Sequence, residues 1–167
     1  MRAVSVNLLA ELRLVRGPQN VTVTQISVRQ NIPGISVAPT RGTLTGNINN
    51  INANERRVVN DLLNRGNNVE LVPRSNAQGV TSVDFRVNGV PTELKTIQGT
   101  SLNTPVTKIN RGFDQGAQTV IIDARGTGMT TGQANSTISR VQGIHGGSLP
   151  GRVEIWLPDG SIVIGGL

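Results

Sequence analysis

Thr81-Ser82-Val83-Asp84-Phe85-Arg86-Val87-Asn88-Gly89-Val90-Pro91-Thr92-Glu93-Leu94-Lys95-Thr96-Ile97 reads as two strands joined by a two-residue turn. Asn-Gly is the strongest short hairpin signal, because both residues tolerate the positive φ of a type I′ turn. With Asn88 and Gly89 at the tip, Val87 faces Val90, Arg86 faces Pro91, Phe85 faces Thr92 and Asp84 faces Glu93. Side chains alternate across a strand. Val83, Phe85, Val87 and Leu94 are therefore expected on one face, and Asp84, Arg86, Glu93 and Lys95 on the other. Counting from the turn makes Asp84 and Glu93 a non-hydrogen-bonded pair, with α-carbons about 4.5 Å apart.

Two carboxylates opposite each other repel, which destabilises a bare sheet. Lys95, on the same face, relieves part of that repulsion, and a divalent cation relieves far more. Two carboxylates and a backbone carbonyl, that of Leu94, suit a hard cation while leaving positions for water and a phosphate oxygen. Lys95 then orients the attacking water or stabilises charge building on the phosphorus. The alternative is an ordinary solvated charge cluster. Glu55, on the apolar stripe of a helix with Val58, Val59 and Leu62, is either a third acidic ligand or part of the helix cap.

Composition narrows the chemistry. The chain of 167 residues has no cysteine and one histidine, His145. A thiolate zinc site, a disulfide framework and a multi-histidine zinc site within one chain are excluded. A bound metal must be held mainly by oxygen, which favours Mg²⁺ or Mn²⁺. The formal charge is +6, with fourteen arginines against two lysines, Lys95 and Lys108. Arginine matches phosphate with a planar two-pronged contact, so nucleic acid is the expected partner, against a basic surface that only aids solubility or is covered by an acidic partner. No signal peptide and no apolar run long enough to span a membrane is read, so a secreted role implies delivery as part of something larger or by a route not encoded in these residues.

Working outward from the hairpin, Asn54 is expected to cap a helix that stops at Gly66, followed by a short strand at Val69 to Val72. Downstream, Thr104-Pro105 opens a helix with Val106, Ile109 and Phe113 on one side. Thr119 to Ala124 is a buried strand, Thr131 to Val141 a weaker helix, and Val153 to Leu157 with Ser161 to Ile164 a final hairpin. The order α-β-β-β-α-β-α-β-β implies an α/β (α+β) fold, a mixed central sheet flanked by helices. Residues 1–50, rich in Asn, Thr, Gln, Gly and Pro, read as an N-terminal extension or linker, and residues 51–167 as the main domain.

The run Glu55-x-x-Val58-Val59-x-x-Leu62-Leu63, then Val69-Glu70-Leu71, then Asp84-Phe85-Arg86-Val87-Asn88-Gly89 with Glu93-Leu94-Lys95, resembles the PD-(D/E)xK nuclease superfamily. More narrowly, it is similar to the C-terminal toxin domains of contact-dependent growth inhibition (CdiA-type) proteins and other bacterial polymorphic toxins. The resemblance covers about residues 53–125. Val83 stands where such sequences often have a proline. The resemblance implies a restriction-endonuclease-like sheet, Asp84 and Glu93 as metal ligands, Lys95 as the catalytic lysine and Glu55 as the accessory acid. It also implies a nuclease cleaving tRNA, or alternatively DNA, in the cytoplasm of a target bacterium after delivery from the producer's surface. A cognate immunity protein would protect the producer, and residues 1–50 would be the remnant of an entry or linker segment.

Several further residues are expected near the substrate. Gln98 follows the Glu93–Lys95 strand, Lys108, Arg111 and Arg125 are candidate phosphate contacts, and Thr127 lies in the Gly126-Thr127-Gly128 turn. Two rival readings stand. One is a metal-independent ribonuclease using His145, the only side chain with an unperturbed pKa near neutrality. The other is a basic binding module without enzymatic activity.

Overall fold

The computed structural model describes residues 40–73, 82–99 and 101–166. The chain divides into two units, Met1–Ala38 and Pro39–Leu167, and the account below concerns the second. Readings of residues 1–39 lie outside the described residues.

The Asn88-Gly89 turn forms as the sequence demands, with φ of 50° and 83°. It joins β3 (Phe85–Val87) to β4 (Val90–Thr96), in the register Val87↔Val90, Arg86↔Pro91, Phe85↔Thr92. Around this hairpin lie β1 (Leu44–Thr45), β2 (Val69–Leu71), β5 (Thr119–Asp123), β6 (Arg152–Trp156) and β7 (Ile162–Gly165). The seven strands follow one another across the sheet in chain order. The β1–β2 pair and the β4–β5–β6 block are parallel, while β2–β3, β3–β4 and β6–β7 are antiparallel. This is the expected mixed α+β sheet.

Helices cover both faces. α2 (Asn103–Asp114) and α3 (Thr131–Ile144) are the crossovers of the parallel block. Both connections advance the same way across the sheet, so the right-handed rule puts both helices on one face. There Val106 and Ile109 of α2 and Ala134, Ile138 and Val141 of α3 pack on Val120, Ile122, Val153 and Ile155. On the opposite face α1 (Ala53–Asn64) lays Val58, Val59, Leu62 and Leu63 on Val69, Phe85, Leu94, Ile121 and Trp156. β5, covered from both sides, is buried at every position but its first, with Val120, Ile121 and Ile122 at its centre, as expected of a central parallel strand. Gly112 sets the height of α2: a Cβ there would lie 2.7 Å from Val120 Cγ2, so only glycine lets the helix sit this close.

Four expectations are corrected. α1 is capped by Asn52 rather than Asn54, because Asn52 Oδ1 takes the N–H groups of Asn54 and Glu55. Residues 46–50, within the stretch read as extension or linker, include a 3₁₀ turn at Ile48–Asn50. Residues 40–50, read as extension, contribute β1 to the same sheet as the hairpin. Of the strand expected at 81–87, Ser82, Val83 and Asp84 lie outside β3, and Val83 belongs to the α2/α3 core rather than sharing a face with Phe85. A bend at Asp84 interrupts the alternation.

Candidate functional site

That bend shapes the corner where Asp84, Glu93 and Lys95 meet. Had the ladder continued, Leu94 would have paired with Val83. Instead its N–H donates to Asp84 Oδ2 at 3.0 Å. In return the Asp84 N–H donates to Glu93 Oε2 at 3.1 Å. The Asp84 carbonyl is turned away, accepting from the Val72 N–H at 3.1 Å. The two carboxylates therefore hold each other's strand at the point where β3 departs from β4. The simple facing pair drawn from register is thus corrected: pairing stops one step earlier, and Asp84 sits in the gap that opens. A strand residue's N–H and C=O leave on the same side, so the Leu94 carbonyl also faces that gap.

Glu93 is 2% exposed. Burial raises its pKa above the ordinary glutamate value, and the like charge of Asp84 adds to the rise. A bond from the Lys95 ammonium opposes both without cancelling them. Lys95 binds Glu93 Oε1 and also donates to Gln115 Oε1 at 2.8 Å. Gln115 is the C-cap residue of α2, so the end of that helix fixes the lysine. Sequence reasoning missed Gln115, because nothing in a local pattern says that residue 115 returns to strand β4.

Glu55 is brought near without joining this cluster. It is buried on α1, completes a capping box by accepting the Asn52 N–H at 2.8 Å, and lines one cleft with Asp84. That cleft also includes Asn47, Asn50, Leu71 and Phe85. Glu93 and Lys95 project towards the α2 face, whereas Glu55 comes from the α1 face. Asp84, in the gap, is where the two sides meet. Among the described residues no three acidic or histidine side chains stand close enough to form a metal cluster by themselves.

The remaining candidates separate clearly. Arg125 binds both oxygens of Asp123, with Nε 2.8 Å from Oδ1 and Nη2 3.0 Å from Oδ2. It also pairs with Asp61 and stacks on Trp156 at 4.9 Å. The expected phosphate contact is therefore occupied holding the α1 face together. Thr127 is likewise engaged: its hydroxyl donates to the Ala124 carbonyl at 2.7 Å and accepts the Met129 N–H at 3.1 Å, shaping its own loop. Gln98 is exposed just beyond β4, and Lys108 and Arg111 lie on α2. His145 Nε2 lies 2.9 Å from Asn110 Oδ1, with the ring edge-on to Phe113. On a helical projection Asn110 and Phe113 occupy the flank of α2 opposite Gln115, so His145 is away from the carboxylates.

No helix among the described residues is long and apolar enough to cross a membrane. Residues 81–162 match the family described as contact-dependent growth inhibition CdiA C-terminal domain, and this stretch spans the hairpin, α2 and α3. No curated protein sequence matches the chain. Among solved structures, a chain of the "CdiA-CT/CdiI toxin and immunity complex from Burkholderia pseudomallei" is similar at a TM-score of 0.54 and 17% identity. The match covers 74% of this chain and 98% of that one, and it bears on the fold.

Proposed function

From a chain whose residues 81–162 carry the CdiA C-terminal signature, we propose a growth-inhibition toxin domain acting as a metal-dependent nuclease centred on Asp84, Glu93 and Lys95. The observation that carries this reading is the corner itself. A glutamate 2% exposed has its pKa raised beside a second carboxylate, with a lysine bound to it. Burying one carboxylate beside a second is costly unless positive charge compensates it.

The donor set suits Mg²⁺ or Mn²⁺. Asp84 and Glu93 would hold the ion together with the Leu94 carbonyl, and water would complete the shell, as is usual for magnesium. When bound, such an ion supplies Lewis acidity towards a phosphate oxygen and lowers the pKa of water. The chain's own residues supply the rest. Asp84 and Glu93 fix the strand gap in which the phosphate is received. Lys95, steered by Glu93 and Gln115, keeps its remaining ammonium donor for the attacking water or for a non-bridging oxygen gaining charge. Glu55 enters from the α1 side as the accessory acid, sharing its carboxylate between the helix cap and the cleft.

The substrate in this reading is nucleic acid, with tRNA placed ahead of DNA on the resemblance to small arginine-rich toxin domains. An immunity protein is the expected inhibitory partner, following the toxin and immunity complex of the structural neighbour. The domain would be delivered as part of a larger protein and act in the target cell's cytoplasm. His145 is the weaker alternative, because it is tied to the α2–α3 contact rather than to the carboxylates.

The test is incubation of the purified chain with total tRNA and with plasmid DNA, each with Mg²⁺ or with EDTA. Mg²⁺-dependent RNA cleavage, lost in Glu93→Gln, is the expected result. Cleavage of DNA alone moves the substrate and keeps the chemistry. RNA cleavage undiminished in EDTA, or no cleavage of either, overturns the proposal.

A further inference from the structure

Among the described residues the cations fall into two groups. Around α1 they are committed: Arg57 to Asp123, Arg125 to Asp123 and Asp61, Arg56 to the Ile48 carbonyl, and Arg65 to the face of Trp156 at 4.3 Å. Lys108 and Arg111 of α2 have no hydrogen bond or ion pair among the described residues, a state they share with Arg86 and Arg140.

Their position gives this freedom a direction. α2 has three working sides. Ile109 and Gly112 face the sheet, and Asn110 and Phe113 face His145 at the end of α3. Lys108, Arg111 and Gln115, spaced i, i+3 and i+7, share the third side. Gln115 anchors that side to Lys95 at 2.8 Å. A continuous row therefore runs from the catalytic corner along about 10 Å of helix, at 1.5 Å per residue. The clamp on Lys95 is a neutral amide, so it orients the ammonium without neutralising it.

We propose that this flank of α2, bearing Lys108, Arg111 and Gln115, holds the phosphodiester backbone of the substrate as it leaves the Asp84–Glu93–Lys95 corner. Arg111 and Lys108 neutralise phosphates flanking the one being cut, while Gln115 sets the position of Lys95. The inference rests on the nuclease reading of that corner and adds the surface along which the polyanion runs.

The experiment measures binding of unfractionated tRNA in EDTA, which withholds the metal that cleavage needs, across a salt series. The parent chain is compared with Lys108→Gln/Arg111→Gln and with Arg140→Gln, an exposed cation on α3. Losing two phosphate contacts should reduce the slope of log affinity against log salt by about 1.4 to 1.8 and weaken binding roughly 25- to 60-fold at 0.1 M salt. Arg140→Gln should change the slope little. The charge-preserving Lys108→Arg/Arg111→Lys should restore binding, which a purely structural role would not predict. A double variant that binds like Arg140→Gln, or a parent chain that does not bind tRNA, overturns this proposal. The nuclease reading is judged separately, by whether the parent chain cleaves nucleic acid when Mg²⁺ is added.

Discussion

Two carboxylates are buried in the sheet, and their surroundings drive them in opposite directions. Asp123, at the end of β5, is fully buried, which by itself opposes ionisation. Bonds from Arg125 and Arg57 outweigh that cost and hold its pKa below the ordinary aspartate value. Glu93, on the neighbouring strand β4, is raised by burial, and one lysine does not compensate for it beside Asp84. The difference separates a carboxylate satisfied by its partners from one whose charge is incompletely compensated. Asp123 is saturated by two guanidinium groups and ties α1 to the sheet. Burial and the neighbouring Asp84 disfavour the charged form of Glu93, and its bond from Lys95 offsets that only in part.

The largest effect that would break this contrast is on catalysis. Glu93→Gln and Asp84→Asn should each lower the single-turnover cleavage rate about 10³-fold or more, and Lys95→Ala about 10²- to 10³-fold. Circular dichroism should show an intact fold. Asparagine is the informative replacement at position 84, because its oxygen can still accept the Leu94 N–H that Asp84 now accepts. Asp123→Asn should do the reverse, leaving the chemistry of the Glu93 corner in place. It should cost about 2 to 3 kcal/mol in urea denaturation, below the usual figure for breaking a fully buried pair, because the Arg57 side chain is 49% exposed. Equal activity losses in the two sets would erase the distinction.

Gly112→Ala sharpens the comparison by moving α2 rather than a charge. Overpacking against Val120 should cost about 1 to 3 kcal/mol and withdraw Gln115 from Lys95, lowering kcat more than it raises KM. An activity unchanged after correction for folded fraction would show that the helix does not position the lysine.

The smallest effects are in the pH and metal dependence of Tm. Because the folded pKa of Glu93 is raised, its contribution favours the native state at low pH and is lost as pH rises from about 4.5 through the folded value. Because that of Asp123 is lowered, its contribution is present above about 3.8 and is lost as pH falls through the folded value. Glu93→Gln should therefore flatten the upper limb of the stability profile and raise Tm at neutral pH, while Asp123→Asn flattens the acid limb. Mg²⁺ should raise the parent Tm by a few degrees at saturating concentration, and that of Glu93→Gln by less.

Much of this architecture is local and was legible in the chain. Asn88-Gly89 dictates the hairpin and its register as far as Phe85↔Thr92, because a two-residue turn leaves one pairing for the strands it joins. The apolar run Val120-Ile121-Ile122 announces a strand covered on both faces, and the stripe of Val58, Val59 and Leu62 announces the inner side of α1. The proximity of Asp84, Glu93 and Lys95 follows from that register alone.

The departures come from interactions that no short-range period encodes. Alternation placed Val83 beside Phe85, but the chain bends where the Asp84 carboxylate takes the Leu94 N–H, and Val83 crosses to the other core. Arg125 read as a phosphate contact until folding brought Asp61, sixty-four residues away in sequence, against it. Gln115 carried no signal, since its meaning depends on how closely α2 lies on β5.

The sequence by itself determined that two carboxylates and a lysine would meet at one hairpin, and that any metal would be held mainly by oxygen. A turn and a two-residue period suffice for that, because they act over a few bonds. Only the tertiary structure decided the state of each group: Glu93 strained, Asp123 satisfied, Lys95 held by a helix and Glu55 shared with its cap. Burial and long-range partners set the energy of a charge, and those exist only once the helices have closed on both faces of the sheet.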